Sequence, residues 1–301
     1  MPWARTYTGD SRVNNGGVRA STVLPMVRRQ SIILEEAQVS DEPMIKFSVD
    51  GDGIGTLLLN RPHLFNAFNI EMADLWGDTI AKAATDDSVK VVVLAANGKA
   101  FCAGGDLDMV VEMQKADSLW HKNFLFEHVH NIARALERMD KPIIAAIHGA
   151  ARGAGWDMAL MCDMRCCTES ATFGQSYILL GVTPGDGGTY YLPRLTNPSR
   201  ALDLFWTGRA IDSREALSYG LVDRVFPDDA LMENTYELAR QIASRNPHAV
   251  RATKRLVYNG LGASLAANLD YISSTMAMMQ ATDEHRKMLV DHLAEVRRKS
   301  E

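Results

Sequence analysis

The chain has few cysteines, no long apolar run and no excess of positive charge. No run approaches the ~20 apolar residues that a membrane-spanning helix needs, so we expect no membrane contact. The net charge is −5 and the basic residues are scattered, so we expect no nucleic-acid partner. The cysteine spacing is not that of a zinc site, so we predict no metal and buried free thiols in a reducing compartment. The four cysteines are Cys102, Cys162, Cys166 and Cys167.

The rest of the composition is typical of a globular protein, because 47% of the 301 residues are hydrophobic and 23% are charged. Residues 1–43 differ: they are rich in arginine, poor in acids and lack sustained periodicity. We predict a disordered extension there, or an over-long start with the true initiator near Met26 or Met44. The expected location is the cytoplasm, or the mitochondrion if this arginine-containing segment is a transit peptide.

The middle of the chain alternates strands and helices. Ile45–Val49 and Ile54–Leu59 are separated by a turn and predict a β-hairpin. Residues 70–84 have helical spacing of apolar side chains, and the apolar runs 89–95 and 142–147 predict strands that are buried on both faces. This alternation predicts an α/β core over residues 44–195.

Residues 196–301 form a second predicted region, which is mostly helical and expected to support oligomer formation. Capping residues and apolar spacing predict four helices and then one last long helix after Leu265. The four predicted helices are 199–206, 213–219, 230–245 and 247–259.

The most informative segment is 145–160, where an apolar run ends in a turn of glycines and alanines and a helix begins. Small residues let a ligand approach the backbone, and a helix start offers unpaired N–H groups to a negative oxygen. Asp157 falls in the first turn of this helix. An acid beside an anion site suggests that a carbonyl becomes an enolate while a proton moves. Alternatively, Asp157 only interacts favourably with the helix dipole.

Two further glycine-bearing segments belong with it. Loop 100–107 also follows a buried strand, so both loops are expected at the same end of the sheet. Segment 172–189 contains a proline and clustered glycines around Asp186, which is either a second acid or an ordinary turn aspartate. Asp163 is predicted to be structural, paired with Arg165 or with the backbone.

In this order, the motifs resemble the enoyl-CoA hydratase/isomerase (crotonase) family over residues 44–293. Segment 59–67 resembles the family's first CoA-contacting loop, and segments 101–107 and 148–157 resemble its two oxyanion-hole loops. The resemblance implies a spiral of βα units with a C-terminal helical region that builds trimers or hexamers. It implies an acyl-CoA thioester as substrate and no cofactor, since CoA is part of the substrate.

The resemblance also assigns residues. It implies that the backbone N–H groups of Ala103 and Ala154 hold the thioester oxygen. The acyl end is expected to be lined by residues 108–125, including Met109 and Met113. The implied CoA contacts are Arg61, His63, Leu64, Ala67, Ala103, Gly104, Gly105, Asp106 and Leu107.

The sequence departs from the family's hydratases at both catalytic glutamates. Asp157 stands in place of the first and Tyr177 in place of the second, and a phenol with a pKa near ~10 is a poor base at neutral pH. Asp186 is expected to reach the site only if its loop changes register. Burial beside Trp156 is expected to raise the pKa of Asp157.

These features favour isomerisation of an enoyl-CoA, a dienoyl-CoA or a ring-substituted enoyl-CoA, with Asp157 as the main acid/base. Hydration of a 2-enoyl-CoA without a pair of acids is the close alternative. A CoA-thioester-binding protein without activity is a second alternative, with Tyr177 as its best support. A thioester hydrolase or a decarboxylase is a third.

Overall fold

The computed structural model describes residues 42–300, so the predicted extension 1–43 lies outside the described residues except for its last two positions. The strands are β1 Ile45–Val49, β2 Ile54–Leu59, β3 Val91–Ala96, β4 Ile143–Ile147, β5 Ala150–Arg152, β6 Met164–Thr168, β7 Thr172–Gly174, β8 Ala210–Asp212 and β9 Arg224–Phe226. The helices are α1 Ile70–Thr85, α2 Leu107–Met113, α3 Ser118–Phe124, α4 His130–Arg138, α5 Ala154–Leu160, α6 Gly188–Leu195, α7 Pro198–Thr207, α8 Ser213–Ser218, α9 Leu231–Ala243, α10 Pro247–Gly260, α11 Leu265–Gln280 and α12 Asp283–Ser300.

Two sheets organise residues 42–300. The larger has the order β1-β2-β3-β4-β6-β9, in which β1 and β2 form an antiparallel hairpin and the other neighbours are parallel. The smaller has the order β5-β7-β8, with β5 and β7 parallel. This is the predicted α/β architecture, and the hairpin prediction is confirmed.

The larger sheet is buried on both faces, which explains its continuous apolar strands. Val92 and Leu94 belong to the core cluster that includes α1, α4 and α5. Their neighbours Val91 and Val93 point the other way and pack with Leu238 and other residues of α9. Because successive strand residues face opposite sides, a strand covered on both faces must be apolar throughout.

The predicted helices between residues 196 and 260 are confirmed within one or two residues at their ends. The single last helix was wrong, because α11 and α12 are separated at Ala281 and Thr282. The Thr282 hydroxyl accepts from the His285 N–H at 3.2 Å and so caps α12. The helices α2 and α3 and the π-helical segment Leu125–Val129 were not predicted.

The two glycine-bearing loops lie side by side, as predicted from their place after β3 and β4. The Cys102 N–H donates to the Ala150 carbonyl at 3.2 Å, and the Arg152 N–H donates to the Cys102 carbonyl at 2.9 Å. The contact is too close for a side chain at Gly149, where a Cβ would lie 2.3 Å from the Lys99 carbonyl oxygen and φ is +60°. In the part of the chain described, no helix is long and apolar enough to cross a membrane.

Candidate active site

Asp157 lies in the first turn of α5, as predicted, and is fully buried. The helix begins where Gly153 adopts φ +47°, a conformation that favours glycine. The Asp157 N–H donates to the Gly153 carbonyl at 3.0 Å, which places the carboxylate at the N-terminal end of the helix. All seven residues of α5 are buried, so the acid is held by core packing.

Both oxygens of Asp157 accept hydrogen bonds from neutral donors. The Gln175 amide Nε2 donates to Oδ1 at 2.7 Å, and the Tyr177 hydroxyl lies 2.7 Å from Oδ2. The backbone of Gly188, the first residue of α6, also faces the carboxylate, and its N–H acts to lower the pKa of Asp157. A Cβ at Gly188 would lie 2.2 Å from Oδ1, so only glycine fits this position.

Asp186 is the second carboxylate of the site. Its Oδ2 lies 2.7 Å from the Tyr177 hydroxyl, and the residue is 6% exposed. Asp186 thus lies within the site, where it was expected only with a shift in loop register. A short 3-10 turn, Ser176–Leu180, ends at Gly181 with φ +72°, and this reversal brings the following loop back over Tyr177.

Burial dominates the electrostatics of these three side chains. It raises the pKa of Asp157 to about 7, although the Gln175 and Tyr177 hydrogen bonds oppose the shift. Burial also raises the pKa of Asp186 and, together with the two neighbouring carboxylates, raises that of Tyr177 well above its usual value. Among residues 42–300, no lysine or arginine is hydrogen-bonded to either carboxylate. A carboxyl pKa near neutrality suits proton transfer.

His130 supports the loop that carries Asp186, a role that the sequence analysis did not find. The His130 Nε2–H donates to the Gly185 carbonyl at 2.7 Å, and the charge of this histidine acts to lower the pKa of Asp186. His130 follows the π-helical segment Leu125–Val129, whose irregular turn displaces it from regular helical spacing. A pattern search for regular helices therefore has no signal for its position.

The prediction that Ala103 supplies an oxyanion donor disagrees with the geometry. Its N–H already donates to the Phe65 carbonyl at 3.0 Å. Within the described residues, neither the Gly105 N–H nor the Ala154 N–H donates a hydrogen bond. The two loops approach closely at Gly104, where a Cβ would lie 3.5 Å from the Ala154 nitrogen. Among the described residues, the N–H groups of Gly105 in the first loop and of Ala154 and Gly155 at the start of α5 have no acceptor.

The predicted CoA contacts fall into two groups. Arg61 points inward, where it pairs with Asp106 at 2.5 Å and donates to the Ala67 carbonyl at 2.8 Å. His63 and Leu64 are exposed on a short turn and remain accessible to a ligand. Arg61 thus ties the first loop to the start of α2 in this conformation, and the assignment of these residues as CoA contacts stays a prediction.

The predicted acyl-end segment forms α2 and α3. Met109 and Met113 line a groove of about 370 Å³ together with Ile70 and Trp120. The Met109 methyl lies 3.9 Å from where a Cβ of Gly105 would be, so this groove borders the first loop.

Asp163, Arg165 and the cysteines lie in ion pairs or in the packed interior. Asp163 is structural, but its cation is Lys254 at 2.7 Å and not Arg165, and it also accepts from the Ile143 N–H. Arg165 instead pairs with Asp223 at 3.3 Å. All four cysteines are buried free thiols, as predicted. In residues 42–300, no group of three or more His, Cys, Asp or Glu side chains could hold a metal ion.

Comparison with known proteins identifies the family. The family profile described as enoyl-CoA hydratase/isomerase matches residues 50–300. The chain belongs to the enoyl-CoA hydratase/isomerase family. This confirms the resemblance to the crotonase family and the crotonase-like fold with its C-terminal helices.

The relatives of this chain include enzymes named for different reactions. It is 34% identical over 231 residues to 2,3-dehydroadipyl-CoA hydratase of Escherichia coli (strain K12), covering 77% of this chain and 88% of the relative. It is also 34% identical over 217 residues to trans-2-decenoyl-acyl-carrier-protein isomerase of Streptococcus mutans, covering 71% and 81%. A crystal structure of an enoyl-CoA hydratase from Mycobacterium smegmatis superposes with a TM-score of 0.79 at 32% identity, covering 84% and 97%. The chain is an enzyme of this family, whose members include both hydratases and isomerases.

Proposed function

We propose that this enzyme acts on the CoA thioester of an unsaturated acid, with Asp157 as its main acid/base. The observation that carries the proposal is the surroundings of Asp157. It is a fully buried carboxyl with a pKa of about 7, next to a helix start with a free N–H. A thioester makes its α-proton acidic once its oxygen is stabilised, and a neighbouring carboxylate can then move that proton.

The N–H groups of Gly105 and Ala154 would donate to the thioester oxygen. This choice replaces Ala103, whose N–H is engaged with Phe65. Two backbone donors aimed at one oxygen stabilise the enolate charge as it develops. We propose that CoA enters as part of the substrate and that the reaction needs no further cofactor.

Double-bond isomerisation is the reaction we favour. A C–H bond of the acyl chain breaks, its proton passes to Asp157, and its electrons form a dienolate on the thioester oxygen. The proton then returns to another carbon, and Asp157 ends ionised as it began. One carboxylate near neutral pKa is sufficient for this sequence.

Hydration of a 2-enoyl-CoA is the second candidate, and Asp186 favours it. Addition of water needs one group to remove a proton from water and one to protonate the α-carbon. Asp157 and Asp186 are each one hydrogen bond from the same Tyr177 hydroxyl, so the site contains two carboxylates after all.

A product assay in D₂O separates the two reactions. The full chain is incubated with but-2-enoyl-CoA and, separately, with but-3-enoyl-CoA, and the products are analysed by mass spectrometry and NMR. Isomerisation gives a butenoyl-CoA with deuterium on the α or γ carbon and no water added across the double bond, whereas hydration adds D₂O and gives a 3-hydroxyacyl-CoA. Binding of both thioesters without either product would contradict the proposed activity and favour a non-catalytic binder.

We also propose that the C-terminal helices pack against other copies of the chain. α10 and α11 contain no buried residue, and large apolar side chains are exposed along them. Leu261 and Leu265 are 77% and 74% exposed, and Met278 is 68% exposed. Contiguous exposed apolar surface marks interaction sites. Sedimentation should give a trimer or hexamer, and a monomer at micromolar concentration would contradict this.

A further inference from the structure

The Tyr177 hydroxyl lies between two carboxyl groups, which limits how protons can be distributed at the site. The Tyr177 hydroxyl lies 2.7 Å from a carboxylate oxygen of Asp157 and 2.7 Å from one of Asp186. A phenol has a single proton to donate, so it can satisfy only one ionised carboxylate. If both were ionised, one contact would bring a phenol lone pair against a negative oxygen. The geometry therefore needs a second proton, carried by one of the two carboxyls.

Hydrogen-bond donors decide which carboxyl carries it. Asp157 faces the Gln175 amide and the Gly188 backbone in addition to Tyr177. Among the described residues, Asp186 has a hydrogen bond only with Tyr177. Donors stabilise the ionised form, so Asp157 is the ionised member and Asp186 the protonated one. Tyr177 thus donates to Asp157 and accepts from Asp186.

Tyr177 is the most exposed member of this group, and its ring lies beside Gly153 at the start of α5. Asp157 is fully buried and Asp186 nearly so, whereas Tyr177 is partly exposed. The Tyr177 Cζ, which carries the hydroxyl, lies 3.6 Å from where a Cβ of Gly153 would be. Gly153 immediately precedes Ala154, whose N–H is free. The hydroxyl end of the phenol therefore lies beside the residue that precedes Ala154, the proposed donor to the thioester oxygen.

We propose that Tyr177 Oη is the atom that exchanges protons with the substrate, with Asp157 as the proton acceptor behind it and Asp186 as a protonated positioning residue. This inference rests on the proposed function. It gives Tyr177, which stands in place of the family's second glutamate, the role of a proton relay.

The relay step balances without forming a phenolate. The substrate C–H bond breaks and its proton forms a new O–H bond at Tyr177 Oη, while the original Oη proton moves to Asp157. The electron pair of the C–H bond passes into the enolate on the thioester oxygen. In the return step Asp157 gives its proton back to Oη as Oη protonates the second carbon. A phenol of raised pKa suits this role, because its proton leaves only as another arrives.

Three variants of the full chain test the relay: Tyr177→Phe, Asp157→Asn and the control Tyr190→Phe. Tyr190 is a 54% exposed tyrosine of α6. Turnover of but-3-enoyl-CoA and α-proton exchange of butyryl-CoA in D₂O are both measured. We expect Tyr177→Phe and Asp157→Asn each to lose roughly 10²-fold or more in both assays. Tyr190→Phe should stay within about twofold of the parent enzyme.

The outcomes separate the relay from the proposed function. If Tyr177→Phe stays active while Asp157→Asn does not, Asp157 acts on the substrate directly and the relay is overturned while the proposed function stands. If Asp157→Asn is as active as the parent, the proposed acid/base role itself fails. Thermal unfolding shows whether Tyr177→Phe is folded. If it is not, proton inventories of the parent enzyme decide instead. A bowed dependence of kcat/KM on deuterium fraction supports two protons in flight, and a straight line overturns the relay.

Asp186→Asn tests the positioning residue by a readout that simple packing would not move. The Asn amide can still donate to Oη, so we expect turnover to fall less than tenfold. Because Asp186 has no charge while it is protonated, Asp186→Asn should leave the acid limb of the pH profile, where Asp157 takes up a proton, in place and should remove the basic limb at which Asp186 ionises. The groups that face the pair are Gln175, Gly188 and His130, and none of them changes. A basic limb that is the same in Asp186→Asn and in the parent enzyme would overturn the assignment of the proton to Asp186.

Discussion

Two buried aspartates of this protein have opposite surroundings. Asp140, just after α4, is 7% exposed and lies between two arginines of α10. The Arg251 Nε and Nη2 donate to its two oxygens at 2.8 and 2.9 Å, and Arg255 also pairs with it. Burial alone would raise the pKa of Asp140, but the arginine hydrogen bonds and charges outweigh burial and lower it.

Asp157 is more deeply buried, and its partners are an amide, a phenol and a backbone N–H. Its pKa is raised to about 7 because these neutral donors do not offset the cost of burying a charge. Burial alone therefore does not decide the role of an acid. A cation fixes Asp140 as a permanent anion joining α10 to the core, whereas Asp157 can take up a proton and release it again.

The largest expected effect follows from removing each carboxylate in turn. Asp157→Asn should lower kcat by roughly 10²–10⁴-fold, because the proton acceptor is lost while the packing volume is kept. Asp140→Asn should leave kcat within a few-fold but lower the free energy of unfolding by roughly 1–3 kcal/mol, because its charged hydrogen bonds are weakened. Steady-state kinetics and urea unfolding of both variants check this. Equal loss of activity in both would remove the distinction.

The next expected effect comes from a backbone position rather than a charge. Gly188→Ala would place a Cβ 2.2 Å from Asp157 Oδ1, so the carboxylate or the start of α6 must move. Because small misplacements of reacting groups cost about 10²-fold, we expect a comparable loss of kcat. Gly262→Ala is the matched control, since nothing lies within 4 Å of its added Cβ. Parent-like kinetics in Gly188→Ala would mean that the close contact is not maintained in solution.

The same comparison explains what could be predicted from the sequence. Asp157 was placed correctly because a small-residue turn after an apolar run is a local pattern, and the helix start follows from it. The opposite faces of β3 were likewise encoded in an unbroken apolar run. The two glycine-bearing loops were correctly predicted to lie together because parallel strands end at one edge of a sheet.

Long-range contacts could not be predicted. Asp186 meets Tyr177 only because a reversal at Gly181 folds the loop back, and Gln175, just after β7, reaches Asp157 of helix α5. The engagement of the Ala103 N–H depends on Phe65, whose carbonyl is aimed by a backbone with φ +52°. Residues this far apart in sequence, or in this rare conformation, leave no periodic signal.

The two aspartates should also give opposite pH dependence of stability. Folding raises the pKa of Asp157 from 3.8 to about 7, so its contribution to the free energy of unfolding is full below pH ~4 and is lost as the pH rises through 7. Folding lowers the pKa of Asp140, so its contribution is present above pH ~4 and is lost as the pH falls through the lower folded pKa. At ~1.4 kcal/mol per pKa unit, Asp157→Asn should gain up to a few kcal/mol relative to the parent between about pH 5 and pH 8.

Urea unfolding of the parent, Asp157→Asn and Asp140→Asn at several pH values measures these slopes. A difference between the parent and Asp157→Asn that stays constant from about pH 5 to pH 8 would contradict a raised pKa. The relative loss in Asp140→Asn should instead shrink only at acid pH, where the parent carboxyl is protonated as well.

The smallest effect is expected at His130, which is the nearest counterpart in the site to the arginines at Asp140. Its Nε2–H donates to the Gly185 carbonyl, and its charge acts to lower the pKa of Asp186. His130→Ala should lower kcat by only about two- to tenfold, because one hydrogen bond worth roughly 1 kcal/mol is lost from the supporting loop. His148→Ala is the matched control. His148, just after β4, makes the same kind of bond to the carbonyl of Gly98, just after β3, at 2.9 Å. If both variants change kcat and the pH profile equally, His130 acts through general loop stability and not through its charge near Asp186. The contrast between a cation-paired and a cation-free carboxylate would then rest on Asp140 and Asp157 alone.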